Sequence, residues 1–279
     1  MTWAVMGLLL FGAMLHAGWN LLVKSGTHKA LDTALIRMFC SLIAVPCVFA
    51  VGIPAAQCWP FLIASVAVHT AYYAVLANAY HHGELSLAYP LMRGVAPMIT
   101  AVGSILLIND VTLSVLGWAA VTSICIGVVI LGASAGIAMH RHAIMIALLN
   151  SIIIAMYTLI DAQGVRLADH ALQYIAALFL LEGWPFVLWV LYQHRGSTNQ
   201  YFKIRWKAAL IGGFASVGSY AISLWAMTVA PVAIVAALRE TSVLFATLFG
   251  AWFLHERLTR RRIIGVLIII TGAIGIRLT

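Results

Sequence analysis

From Thr2 to Arg277 the chain is a succession of apolar stretches of about 20 residues, separated by short polar connections. That pattern leaves few folds open, because a hydrocarbon core of about 30 Å takes about 20 helical residues to cross. With 279 residues, 63% of them hydrophobic and only 9% charged, the chain has too little polar surface to coat a soluble globule of its size. A mean hydropathy of +1.03 says the same. The expected fold is all-α: a polytopic membrane protein of about ten transmembrane helices.

In the first half the expected spans are Thr2–Val23, Leu31–Gly52, Gln57–Tyr80, Glu84–Ile108 and Leu113–Ala135. In the second they are His142–Asp161, Ala171–Tyr192, Trp206–Val229, Ala233–Leu254 and Arg261–Arg277. Thr2–Val23 lacks a basic flank and a small-residue cleavage site, so it reads as a retained span rather than a signal peptide. The link from Gly136 to Arg141 joins the halves, and the longest polar connection is Gln193 to Arg205.

The net charge of +8 would suggest nucleic acid in a soluble protein, but here the basic residues sit in connections beside apolar spans. There they orient the protein, and no nucleic-acid partner is expected. Lys24, Lys29, Arg141, Arg195, Lys203, Arg205, Lys207, Arg257, Arg260, Arg261 and Arg262 fall on one side, against Arg166 and Arg277 on the other. By the positive-inside rule the first side is cytoplasmic and both termini lie outside. The run from Tyr201 to Lys207 mixes aromatic and basic residues as an interface anchor does. Cys40, Cys47, Cys58 and Cys125 show no metal-ligand spacing, and no metal or cofactor is expected.

Charges inside the spans are the informative exceptions. Arg93 stands near the middle of its span between Pro90 and Pro97, and Arg239 and Glu240 stand within another. An arginine at mid-bilayer costs at least about 2.5–3.5 kcal/mol on insertion scales, so such residues usually face a cavity and mark a solute path. The two prolines remove backbone donors and are expected to loosen the helix around Arg93. Sliding the sequence by 239 − 93 = 146 residues also brings Asp110 onto Glu256, each at the end of its span. Trp19-Asn20 and Tyr157-Thr158 correspond at an offset of 164 − 26 = 138, counted between the glycines that follow them. Two copies of an odd number of spans must lie in opposite orientations, which makes the expected architecture two inverted five-helix repeats, 1–136 and 142–279, with a site at the midplane between them.

Candidate substrate-binding residues are Arg93 and Arg239, which could hold a carboxylate or phosphate-like group by paired charge-assisted bonds. The competing reading makes them structural ties to carbonyls or to an acid on a neighbouring helix. Asn20 lies beside Trp19 at the matched position. Trp19, Tyr89, Tyr157 and Trp225 are the aromatic candidates for enclosing an organic substrate. Apolar surroundings oppose the charge of an acid and favour its taking up a proton, whereas an adjacent arginine works the other way. Glu182 is therefore the first candidate for proton coupling, followed by Glu240 and His16. His255-Glu256 begins a zinc-protease-like motif, but Thr259 stands where the second histidine should be.

Ala79-Tyr80, then Leu87-Ala88-Tyr89-Pro90-Leu91-Met92-Arg93-Gly94-Val95-Ala96-Pro97 in the first half, resemble a known repeat. Its second copy reads Val229-Ala230-Pro231-Val232-Ala233, Leu238-Arg239-Glu240-Thr241-Ser242 and His255-Glu256-Arg257-Leu258-Thr259. Both look like the EamA-type unit of the drug/metabolite transporter superfamily, although the first copy has Asn109-Asp110-Val111 where the family has an acidic-basic pair. The resemblance implies ten helices around a central cavity and ATP-independent movement of a small organic metabolite across the cytoplasmic (inner) membrane. An amino-acid-like, zwitterionic or anionic compound is the expected substrate and efflux the expected direction, with protons as a coupling ion and the protein a monomer or homodimer. The rival classes are a passive channel or facilitator and an intramembrane enzyme.

Overall fold

The computed structural model describes residues 1–81, 85–133, 141–196, 198–253, 255 and 259–279, with backbone alone for 74, 76–81, 85–90, 132, 133, 142 and 143. All regular structure among the described residues is helical. The helices are α1 (Trp3–Ser25), α2 (Lys29–Val51), α3 (Trp59–His81), α4 (Leu85–Ile108), α5 (Val115–Ala133) and α6 (Arg141–Leu167), with a 3-10 turn at Ala56–Cys58 before α3. They continue with α7 (Ala171–Glu182), α8 (Trp184–Gln193), α9 (Thr198–Ala226), α10 (Val232–Arg239), α11 (Ser242–Phe253) and α12 (Arg260–Arg277). Taken together, α7–α8 and α10–α11 are each one interrupted span, which gives ten spans. Seven of these are long and apolar enough in their described parts to cross a membrane. Phe49, Leu106, Leu107 and Trp252 lie exposed on the outside, where lipid would cover them.

Local chemistry sets the helix ends. The Thr2 and Thr259 hydroxyls and the His28 and His170 rings accept from first-turn amides of α1, α12, α2 and α7, so a side chain replaces one missing helical partner at each start. Pro185 has no N–H to continue the ladder across Gly183, and it opens α8 instead. At the second break the Thr241 hydroxyl donates to Leu238 O (2.6 Å), competing with the regular backbone pattern. Each break carries a buried glutamate, Glu182 or Glu240.

Three expectations need correction. The sixth span does not stop at Asp161 but runs to Leu167, so that acid lies inside the helix. The eighth begins at Thr198 rather than Trp206, which leaves only a short connection after Gln193. At 1.5 Å per residue the resulting 29-residue α9 is about 44 Å long, enough to stand clear of the hydrocarbon. Finally, α4 is continuous through Pro90 and Pro97; both breaks fall in the second half, and neighbouring helices can support proline within a membrane span. Glu256, the counterpart of Asp110, and link residues 136–140 lie outside the described residues.

The halves interleave. α1 packs against α9 and the α10–α11 span, α6 packs against α3 and α4, α2 meets α7, and α5 lies along α12. At one end of α9, Arg205 Nε donates to Asp32 Oδ1 (2.9 Å) and Tyr201 donates to Asp32 Oδ2 (2.8 Å). Tyr201 and Arg205 thus tie α9 to α2 rather than only anchoring the interface. Beyond its other end, Arg166 donates to Asp110 (3.3 Å) and to Met227 O (2.8 Å), while Asp110 accepts from Val232 N (2.7 Å).

α5 and α12 approach closely through small residues, as membrane helices do when packing rather than hydrophobicity holds them. A Cβ on Gly272 would lie 2.8 Å from Ala120 O and 3.0 Å from Ile124 N, both backbone atoms of α5. Gly272→Ala is therefore expected to destabilise the protein by about 1–3 kcal/mol through overpacking. Gly7→Ala, where a Cβ meets nothing within 4 Å, is expected to be neutral or slightly stabilising. Unfolding of the two variants in mixed micelles gives the comparison.

Candidate functional site

A cavity of about 70 Å³ lies among these helices and is lined from both halves of the chain. By this measure a water needs about 15 Å³, so the space holds a handful of waters. From the first half come His16, Trp19 and Asn20 on one face of α1, Arg37 on α2, His69, Tyr72 and Tyr73 on α3, and Arg93 on α4. The second half contributes Tyr157 on α6, Glu182 at the end of α7, Ser216 and Tyr220 on α9, and Arg239 at the end of α10.

Two ion pairs cross between the halves here. Arg37 Nη1 donates to Glu182 Oε1 at 2.7 Å, and His69 Nε2 stands 3.4 Å from Glu182 Oε2. Arg93 Nε lies 2.7 Å from Glu240 Oε2, with Ser242 Oγ 3.5 Å from Nη2. In each case the glutamate sits at a helix break and the arginine on a first-half helix. Burying such charges costs less when they are paired and further hydrogen-bonded.

Aromatic rings surround the charges. The Arg37 guanidinium is 5.4 Å from both the Trp19 and the Tyr73 rings, and His69 stacks on Tyr157 at 4.2 Å. Arg239 is different: among the described residues it makes no carboxylate ion pair, and its guanidinium lies 5.0 Å from the Tyr220 ring. Three lining arginines and the carboxylates of Glu182 and Glu240 leave 3 − 2 = 1 positive charge at the cavity. Tyr220 donates its hydroxyl to Asp161 Oδ2 (2.5 Å), and Asp161 Oδ1 accepts from Tyr174 (2.9 Å).

Of the residues singled out in the sequence, Arg93, Arg239, Trp19, Asn20, Tyr157, Glu182 and His16 line this one cavity. Glu240 stands behind it, bound to Arg93. Trp225 is not among the lining residues and is 37% exposed. Five residues beyond Tyr220, at about 100° per residue, it faces roughly 140° away around α9. The Tyr89 side chain lies outside the described residues. Sequence reasoning missed Arg37 and Asp161. Arg37 lies inside an expected span and satisfies the same rule as Arg93, whereas Asp161 reads in the sequence as the end of a span.

The arrangement suits a small organic molecule with an anionic group: guanidinium donors for the charge and tyrosine, histidine and tryptophan faces for the body. A model of the EamA-like transporter family matches residues 141–278. One solved crystal structure, 16% identical in sequence, superposes with a TM-score of 0.78 over 99% of this chain and 98% of its own. At that identity the likeness concerns the fold alone. No curated protein matches the chain in sequence.

Proposed function

The chain is a multi-pass membrane protein of the EamA-like transporter family, in the drug/metabolite transporter superfamily, and from that premise we propose that it carries a small carboxylate-bearing metabolite by alternating access. The carrying observation is the cavity between the halves, with Arg239 turned to it and no carboxylate of the described protein bound to that guanidinium. Arg37 and Arg93 are neutralised by Glu182 and Glu240, so an incoming carboxylate has one cation to claim. Trp19, Asn20 and Tyr157 border the same space and would contact the rest of the substrate.

Two inverted repeats, 1–136 and 142–279, account for the packing pattern, in which α1 on α9 has its counterpart in α6 on α3. A site enclosed between such repeats can be exposed to one side and then the other as they rock. Placement in the cytoplasmic membrane, termini outside and net efflux follow the basic-residue skew and the family resemblance.

Counterflow in proteoliposomes tests the reading, with labelled alanine, glutamate, succinate and betaine as probes and choline as the cationic control. Accelerated exchange of at least one carboxylate, and none of choline, is the expected result. Equal passage of carboxylates and choline without counterflow would make the protein a passive pore, and chemical conversion of a probe would make it an enzyme; either result overturns the proposal.

A further inference from the structure

We propose that Asp161 is the group that takes up and releases a proton during the transport cycle, a role resting on the transporter reading above. Asp32, Asp110, Glu182 and Glu240 are each bound to an arginine, namely Arg205, Arg166, Arg37 and Arg93. Asp161 is wholly enclosed, at 0% exposure, yet among the described residues it is bound to no arginine or lysine. Its partners are the hydroxyls of Tyr174 and Tyr220.

The difference in partners decides which acid can change state. A guanidinium only donates hydrogen bonds, so a carboxyl that gains a proton against an arginine loses its counter-charge and leaves a buried cation uncompensated. A tyrosine hydroxyl both donates and accepts. Tyr174 and Tyr220 can donate to the Asp161 carboxylate, and after protonation one of them can turn and accept from the new O–H. The same scaffold thus serves both states without breaking an ion pair.

The carboxyl is also connected to the cavity. Tyr220, which lines the cavity, donates its hydroxyl to Asp161; on α3 the His69 ring is 6.2 Å from the Tyr220 ring, with Nδ1 3.1 Å from Ser65 Oγ and Nε2 3.4 Å from Glu182 in the cavity wall. A hydronium ion in the cavity becomes water as an O–H bond forms on Asp161, and release runs in reverse. Tyr174 of α7, Tyr220 of α9 and Arg239 of α10 complete the surroundings, with Tyr157 on α6, the helix of Asp161 itself, and Cys58 of the 3-10 turn beyond Tyr174. Because the Tyr220 ring underlies the Arg239 guanidinium at 5.0 Å, the proton is placed next to the residue assigned to the substrate anion.

Infrared difference spectra between acid and neutral pH test this in substrate-free proteoliposomes. The carbonyl band of a protonated carboxylic acid is expected in the wild type, in Glu182→Gln with Arg37→Met and in Glu240→Gln with Arg93→Met, double variants that strand no cation, and is expected to vanish in Asp161→Asn. Tyr220→Phe, which keeps the ring under Arg239 and removes the hydroxyl, should shift the band. Should Asp161→Asn fail to fold, wild-type and Tyr220→Phe proteins carrying aspartate labelled with carbon-13 at the side-chain carboxyl supply the answer: an isotope-shifted band that also moves in Tyr220→Phe belongs to the aspartate that this hydroxyl touches, not to Asp32, Asp110 or Asp169. Persistence of the band in Asp161→Asn, or no isotope shift in the labelled wild type, would overturn the proposal. This readout needs no transport, so a band assigned to Asp161 without counterflow defeats the transporter reading as the source of its role, whereas counterflow without that band defeats this inference alone.

Discussion

Replacing Glu240 by Gln is expected to destabilise the protein by about 3–5 kcal/mol, the cost of stranding a buried arginine. The Arg93 and Glu240 side chains are 3% and 4% exposed, with Nε and Oε2 2.7 Å apart. Glutamine preserves shape and one acceptor but removes the charge that compensates Arg93, and Arg239 next to it in sequence adds a second positive charge to the same corner. Adding Arg93→Met to Glu240→Gln removes the stranded cation and is expected to restore much of the loss, because an apolar replacement for a whole buried pair is often neutral. Unfolding of the single variants and the double variant in mixed micelles completes the cycle. A strongly favourable coupling between the two positions is expected; additive losses would show that the side chains act separately.

That pair also shows what could be read in the sequence. Arg93, Arg239, Glu182 and Glu240 stood out because a charge inside an apolar span must find a partner or a cavity. Which acid meets which arginine could not be read, since Arg37 and Glu182 are 145 positions apart and only packing brings them together. Arg93 is paired with an acid, while Arg239 makes no carboxylate ion pair among the described residues. Asp161 reads as a span end because about 20 residues suffice to cross the hydrocarbon and a polar side chain commonly closes such a stretch; α6 has 27 residues and carries the acid in its interior. The start of α9 was lost for the same reason, because Lys203, Arg205 and Lys207 look like a loop until the helix is long enough to project beyond the membrane. Trp225 stands among the better-placed aromatics by sequence position, yet helical phase turns it away from Tyr220.

Arg239→Gln is expected to weaken binding of the transported carboxylate by about 10–100-fold, the equivalent of about 1.5–3 kcal/mol for a hydrogen bond to a charged group. It also takes the positive charge at the cavity from 3 − 2 = 1 to 2 − 2 = 0, so the long-range attraction for an anion goes with the contact. Arg239→Lys keeps the charge but loses the planar fork and its stacking on Tyr220, which places it between wild type and glutamine in affinity. Unlike Glu240→Gln, neither substitution strands a buried carboxylate, because the Glu240 carboxylate remains bound to Arg93. Stability should therefore fall much less than affinity. Equilibrium binding of whichever carboxylate shows counterflow, measured beside unfolding in the same micelles, separates the two effects. Wild-type affinity in Arg239→Gln would assign anion recognition to the already paired Arg37 or Arg93, and the substrate would then have to displace Glu182 or Glu240 in order to bind.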